Sequence, residues 1–324
     1  MTTTPTRRAL LSLAGATCLS AAAGAAARAE GGPVAPPAPG PLFASRTPLR
    51  IGAAALRVRD LDRMSAYYRD VIGLAVLARG STGITLGTSA GALLTLEAAP
   101  AAGPEASNAA GLFHIAFLMP ERKDLARWLA AIARNRTPLT GFADHSVSEA
   151  VYLQDPEGNG IEVYSDRPAE RWRWENGRVV MGTHRLDVDD LLSLTDMRVA
   201  DYAAAPEGLR IGHVHLRVGD VAAGDRFYRD LIGLAPTSRR DSASFLSSGG
   251  YHHHLALNTW QSAGAGRREP GRTGLAWFSL QTPKEDLLAG CHQRLSAAGV
   301  AARGISGGFE CDDPWGTRVR LLQG

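Results

Sequence analysis

The chain has 324 residues, 45% hydrophobic and 21% charged, with a formal net charge of +3. This is ordinary globular composition with length enough for two domains. The small net charge comes with no basic block, so nucleic acid is excluded from the expected partners.

In chain order, the first feature is a leader. Thr6-Arg7-Arg8 precedes Ala9-Leu10-Leu11, and an Ala/Leu/Gly/Ser stretch runs on to a small-x-small cleavage site, Ala27-Arg28-Ala29. The paired arginines resemble the twin-arginine export signal, so residues 1–29 are expected to direct the chain to the periplasm and then be removed. Alanine dominates the stretch and leucine is sparse, which argues against an uncleaved membrane anchor. No stable membrane insertion is therefore expected after cleavage. Residues 30–49 are rich in Pro, Ala and Gly and read as a disordered spacer.

From residue 50 the sequence repeats itself. Arg50-Ile51-Gly52 returns as Arg210-Ile211-Gly212, and Leu56-Arg57-Val58-Arg59-Asp60 returns as Leu216-Arg217-Val218-Gly219-Asp220. Tyr68-Arg69-Asp70-Val71-Ile72-Gly73-Leu74-Ala75 returns as Tyr228-Arg229-Asp230-Leu231-Ile232-Gly233-Leu234-Ala235, at the same offset of 160 residues. Constant register over such a span marks a duplication. Alternating apolar residues at 51–58 predict a strand. Asp60 stands where a helix N-cap belongs, Met64, Tyr67, Tyr68, Val71 and Ile72 follow at helical spacing, and Gly73 closes the helix. Short strands around 83–86 and 92–97 complete a βαβββ unit.

A second repeat is weaker. Gly111-Leu112-Phe113-His114-Ile115-Ala116-Phe117 matches Gly274-Leu275-Ala276-Trp277-Phe278-Ser279-Leu280. An apolar helix follows each, at 122–135 and 284–298. A final strand then follows the tight turns Asp155-Pro156-Glu157-Gly158 and Asp313-Pro314-Trp315-Gly316. The fold class is therefore α+β, with four βαβββ modules near 50–100, 110–167, 210–260 and 272–323. Modules one and two fill 50–167, a bridge spans 168–209, and modules three and four fill 210–323. Each module has a one-sided curved sheet that needs a partner. Outside the leader, Cys291 and Cys311 could pair after export; neither has metal-ligand spacing, and buried small residues are the simpler reading.

These modules resemble the vicinal oxygen chelate superfamily, and within it the catechol 2,3-dioxygenase-like group. The resemblance rests on His114, His145, Tyr152, Asp155 to Tyr164, Ile211 to Leu216 and Gly249 to Trp260. It implies that two modules pair into a cup, with a metal held by a first-strand His of each and a last-strand Glu of one. Those positions are Ala53 in module one, His114 and Glu162 in module two, His213 in module three, and Trp277 and Arg320 in module four. Only modules two and three together complete a set: His114, Glu162 and His213. Modules one and four then form a metal-free pair. A buried Glu is costly unless it is paired or binds a cation, which strengthens the metal reading. His215 shares a face with His213 and is the rival ligand, with a structural role expected.

Two histidines and one carboxylate suit a non-heme Fe(II) oxygenase, and Mn(II) accepts the same set. The resemblance further implies proton-transfer groups around the metal: His145, Tyr152 and a histidine of Tyr251-His252-His253-His254. Strand alternation in that tract would set His253 apart from His252 and His254, and the family frame selects His253. The expected activity is extradiol cleavage, with a small aromatic diol and O2 as partners; homo-oligomerisation is left open. The alternatives are a metal-dependent isomerase or lyase of the glyoxalase type, or a small-molecule-binding member of the superfamily.

Overall fold

The computed structural model describes residues 42–198 and 202–324. The expected leader at 1–29 and the first part of the spacer lie outside the described residues. No helix among the described residues is long and apolar enough to cross a membrane.

Module one contains β1 (Arg50–Val58), α1 (Leu61–Tyr67), β2 (Ala75–Arg79), β3 (Gly83–Thr88) and β4 (Gly91–Ala98). Module two contains β5 (Gly111–Leu118), α2 (Arg122–Arg134), β6 (Gly141–Asp144), β7 (Ser148–Gln154) and β8 (Gly160–Asp166). The bridge carries a small hairpin, β9 (Trp174–Glu175) and β10 (Arg178–Val179), and a short helix, α3 (Val188–Leu192). Module three contains β11 (Arg210–Arg217), α4 (Val221–Asp225), β12 (Ala235–Arg240), β13 (Ala243–Ser247) and β14 (Leu255–Asn258). Module four contains β15 (Gly274–Thr282), α5 (Glu285–Ala297), β16 (Arg303–Ile305), β17 (Gly308–Asp312) and β18 (Arg318–Gln323).

The duplicated segments fold alike. Asp60 caps α1 by accepting from the Arg63 amide at 2.9 Å, and Asp220 caps α4 from Ala223 at 2.6 Å. Both helices run on into a π-type turn, Tyr68–Ile72 and Arg226–Ile232. Gly73 ends the first at φ 84°, where a Cβ would meet the Ala205 amide at 2.5 Å, so only glycine serves there.

The modules pair out of sequence order. One eight-stranded sheet runs β16-β17-β18-β15-β1-β4-β3-β2, joining modules four and one. The other runs β12-β13-β14-β11-β5-β8-β7-β6, joining modules three and two. At the seams, β1 is antiparallel to β15 and β11 is antiparallel to β5. Neighbours in sequence are tied in a different way. The Tyr68 hydroxyl donates to Asp155 at 3.0 Å, linking modules one and two, and the Tyr228 hydroxyl donates to Asp313 at 2.9 Å, linking three and four. Each of these aspartates also accepts backbone amides in its own Asp-Pro turn, from Glu157 and Asn159 or from Trp315 and Thr317. A continuous apolar core, including Leu56, Tyr68, Phe117, Trp128, Tyr228 and Phe278, runs through all four modules.

One expectation is corrected, and the simpler reading of the two cysteines holds. Residues 42–49 are not a disordered spacer: Ala44, Thr47 and Leu49 are buried. Phe43 packs on Trp172 and Tyr251, and Leu49 donates to the Ser248 hydroxyl at 3.1 Å. The apolar pair Leu42-Phe43 gives this stretch surface to bury that the preceding Pro/Ala-rich residues lack. Cys291 and Cys311 do not pair; both are free and buried, and burial pushes the Cys311 thiol up to about 12.

Candidate metal centre

Sheet register explains how residues far apart in sequence converge. His213 on β11 lies opposite Ala116 on β5, Ala116 is paired with Glu162 on β8, and Glu162 is paired with Tyr152 on β7. Register-paired residues point to one face, so His213, Glu162 and Tyr152 stand in a row. Ala116 is the small member between them and leaves the space above it open. His114, two residues before Ala116, joins the same face.

The three expected ligand residues meet. His114 Nε2 lies 3.0 Å from Glu162 Oε2, His213 Nε2 lies 3.3 Å from the same oxygen, and the two nitrogens are 3.3 Å apart. Ligands at right angles, each about 2.1 Å from an ion, lie about 3.0 Å from one another, so the spacing fits one face of an octahedron. Among the described residues, this is the group of His, Cys, Asp or Glu side chains arranged to hold a metal ion.

The electrostatics agree. Burial opposes ionisation of Glu162, but His213 and His114 hold its carboxyl well below the usual carboxylate range. Burial pushes His213 down to about 4, against the pull of Glu162. An ionised Glu162 and a neutral His213 are the forms in which these groups bind a divalent cation. His213 Nδ1 is buried without a partner, so that ring is held by packing against Tyr164 and His253.

The cluster lies at the wall of a cavity of about 410 Å³, within the size range of small-molecule sites. Phe113, Phe142, Phe245 and Trp260 give it apolar walls, and the bridge contributes Met181, Gly182 and Thr183. His145, Tyr152 and His253 also line it. His145 Nδ1 is 2.8 Å from the Gly182 carbonyl, so that nitrogen carries the proton. Its Nε2 then accepts from the Tyr152 hydroxyl at 2.6 Å. Burial and Glu162 raise Tyr152 well above the usual phenol range, keeping it protonated.

The histidine tract differs from its expected form. Residues 251–254 precede β14 and are not a strand, because Gly249 and Gly250 turn the chain at φ 66° and 79°. His253 nonetheless lines the cavity, with its ring centroid 4.1 Å from that of His213. His254 is engaged elsewhere: its Nδ1 accepts from the Ser248 amide at 3.3 Å, and its Nε2 meets Thr47 Oγ1 at 3.1 Å. His252 is fully buried beside Asp166. His215 is paired across the seam with His114, but Asn258 occupies its Nε2 at 2.9 Å. Sequence reasoning missed Asn258 and Asp166, which become visible only once their strands are in register.

The chain belongs to the glyoxalase/bleomycin resistance protein/dioxygenase superfamily, whose family model matches residues 50–163 and 210–321. More particularly, it is 38% identical over 272 residues to a protein named Catechol-2,3-dioxygenase from Bacillus subtilis (strain 168), covering 82% of this chain and 93% of that one. Among solved structures it resembles glyoxalase I from Zea mays, with a TM-score of 0.54 at 17% identity over 87% of this chain and 94% of that one. It also resembles the cppA protein from Streptococcus pneumoniae TIGR4, with a TM-score of 0.52 at 13% identity over 86% and 99%. At these identities the structural likenesses establish the shared fold alone.

Proposed function

We propose that the chain is an extradiol-type dioxygenase, which opens a catechol-like ring beside its two hydroxyls using O2 and a single Fe(II) held by His114, Glu162 and His213. The observation that carries this reading is the layout of one cavity. A carboxylate and two imidazoles converge on its wall, flanked by His145 and Tyr152 on one side and His253 on the other. The 38% identity to a protein named Catechol-2,3-dioxygenase supports the same reaction class.

Bound there, Fe(II) would supply a chelation point for a deprotonated diol and an open position for O2. The chain's own residues do the rest. Phe113, Phe142, Phe245 and Trp260 offer an aromatic ring apolar surface to pack against. Neutral Tyr152 holds a proton that it shares with His145 Nε2, so the pair can lend that proton to a substrate oxygen and take it back. Burial holds His253 neutral, with His213 adding to the effect, so it can accept a proton from a substrate hydroxyl.

The test is anaerobic loading of the full chain with Fe(II), addition of a panel of catechols, and admission of air. Oxygen uptake matched by absorbance of a yellow ring-opened semialdehyde is expected. A parallel Mn(II) loading reads whether that ion serves as well. Absence of oxygen uptake across the panel would overturn the reading and favour the glyoxalase-type alternative.

A further inference from the structure

Behind the cavity, a hydrogen-bonded chain runs back from His253 to His252 and Asp166, two side chains that the proposed reaction leaves unused. Asp166 ends β8, the strand that carries Glu162. Its Oδ1 lies 2.8 Å from His252 Nε2, and His252 Nδ1 lies 2.8 Å from His253 Nδ1. His252 is fully buried and His253 nearly so. Tyr251 donates its hydroxyl to the same Asp166 oxygen at 3.2 Å, and Tyr164 stands behind it, 2.8 Å from the Tyr251 hydroxyl. The carboxylate is therefore held in place from two directions.

Proton counting links the directions of these bonds. A carboxylate only accepts, so His252 donates from Nε2. When His252 carries a single proton, its Nδ1 is bare and accepts. His253 must then donate from Nδ1, and its Nε2 is left with a lone pair. His253 lines the cavity, and Nε2 is its remaining polar atom.

We propose that Asp166 and His252 are positioning residues that hold His253 in its Nδ1-protonated tautomer, so that its free nitrogen enters the reaction as a base. The catalytic consequence rests on the dioxygenase reading; the tautomer does not. A proton leaving a substrate hydroxyl forms a new bond to His253 Nε2. The resulting imidazolium keeps its Nδ1 proton and shares it with His252, whose own Nε2 proton remains directed at Asp166. Hydrogen-bond partners of metal-ligating histidines typically matter by about 10–100-fold, and the same order is expected for partners that act through a proton-transfer histidine.

Two substitutions at one position separate this role from packing. His252 sits between Tyr251 and Trp172, with ring centroids 4.1 and 5.2 Å away. His252→Phe keeps a ring for that packing but offers no acceptor. His252→Asn loses the ring but can present a carbonyl oxygen near the place of Nδ1. The full chain, saturated with diamagnetic Zn(II) and labelled with ¹⁵N-histidine, reports the tautomer of His253 directly by NMR. The wild type and His252→Asn are expected to show a protonated Nδ1 and a bare Nε2, and His252→Phe is expected to lose that pattern. With Fe(II) and a catechol, His252→Phe is expected to lower kcat about 10–100-fold, with KM little changed and His252→Asn closer to wild type. A wild-type His253 protonated on Nε2, or a Phe variant that outperforms Asn in both readouts, would overturn the inference. If no catechol is turned over, the reaction reading fails while the NMR arm still decides the tautomer.

Discussion

The two sheets carry the same row of positions with different side chains, and the position of Glu162 on one is held by Arg320 on the other. In the sheet of modules two and three the row is His213, Ala116, Glu162 and Tyr152. In the sheet of modules one and four the corresponding residues are Ala53, Ser279, Arg320 and Glu310, with Trp277 where His114 stands. There the Arg320 guanidinium lies 4.0 Å over the Trp277 ring and 3.0 Å from Glu310, while the Trp277 indole donates to Glu97 at 2.9 Å. The second cup thus carries its own cation, already paired. The first holds an anion between two imidazoles, a set that could hold a metal ion. Duplication supplied one architecture, and the two cups differ at every matched position, Glu162 against Arg320 among them.

The comparison can be sharpened at His253, which stands beside only the first cup. His253→Gln is expected to retain the metal while kcat falls about 10²–10⁴-fold, the usual contribution of a positioned proton-transfer group. Metal analysis and steady-state kinetics on the same sample check this. Loss of metal together with activity would instead make His253 part of the ligand set.

A smaller effect concerns pH. Burial lowers His213 to about 4 and His254 to about 3, whereas unfolded histidines titrate near 6.5. Below about pH 6.5 the unfolded chain therefore binds protons that the folded chain does not, and stability falls as pH is lowered toward 4. Each such group contributes about 1.4 kcal/mol per pH unit in that window. Urea denaturation of the metal-free chain between pH 7 and 4.5 should show this decline. A flat profile would mean that these histidines are not buried in their neutral form.

The smallest expected effect lies in the second cup. Glu310 is largely buried and meets Arg303, Arg318 and Arg320, each of which is partly exposed. Solvent screening at the arginines limits the loss on Glu310→Gln to about 1–2 kcal/mol. Metal affinity should be unchanged, because the centre is built on the other sheet. A fall in affinity measured by titration would show that the two cups are coupled.

The candidate metal positions were legible because the family resemblance names the strand positions and the repeat aligns them across the modules. Ala53, Trp277 and Arg320 then exclude every pairing but modules two with three. His145 and Tyr152 were picked out by the family resemblance, and the Asp155 turn that makes β7 and β8 neighbours put Tyr152 beside Glu162. The network behind His253 was not legible. The tract at 251–254 takes its form from contacts with residues 43–49 and Trp172, none of them near in sequence. The one local signal was Gly249-Gly250, which interrupts the strand that alternation predicts. The folding of residues 42–49 onto this tract was hidden in the same way, because their apolar side chains acquire a partner only after modules two and three have joined.

The central claim is that modules two and three share a single metal through His114, Glu162 and His213. Anaerobic Fe(II) titration of the wild type, His213→Ala and His215→Ala tests it most directly. One ion bound per chain in the wild type, loss of binding in His213→Ala, and retention in His215→Ala are the expected results. Full binding in His213→Ala with loss in His215→Ala would contradict it.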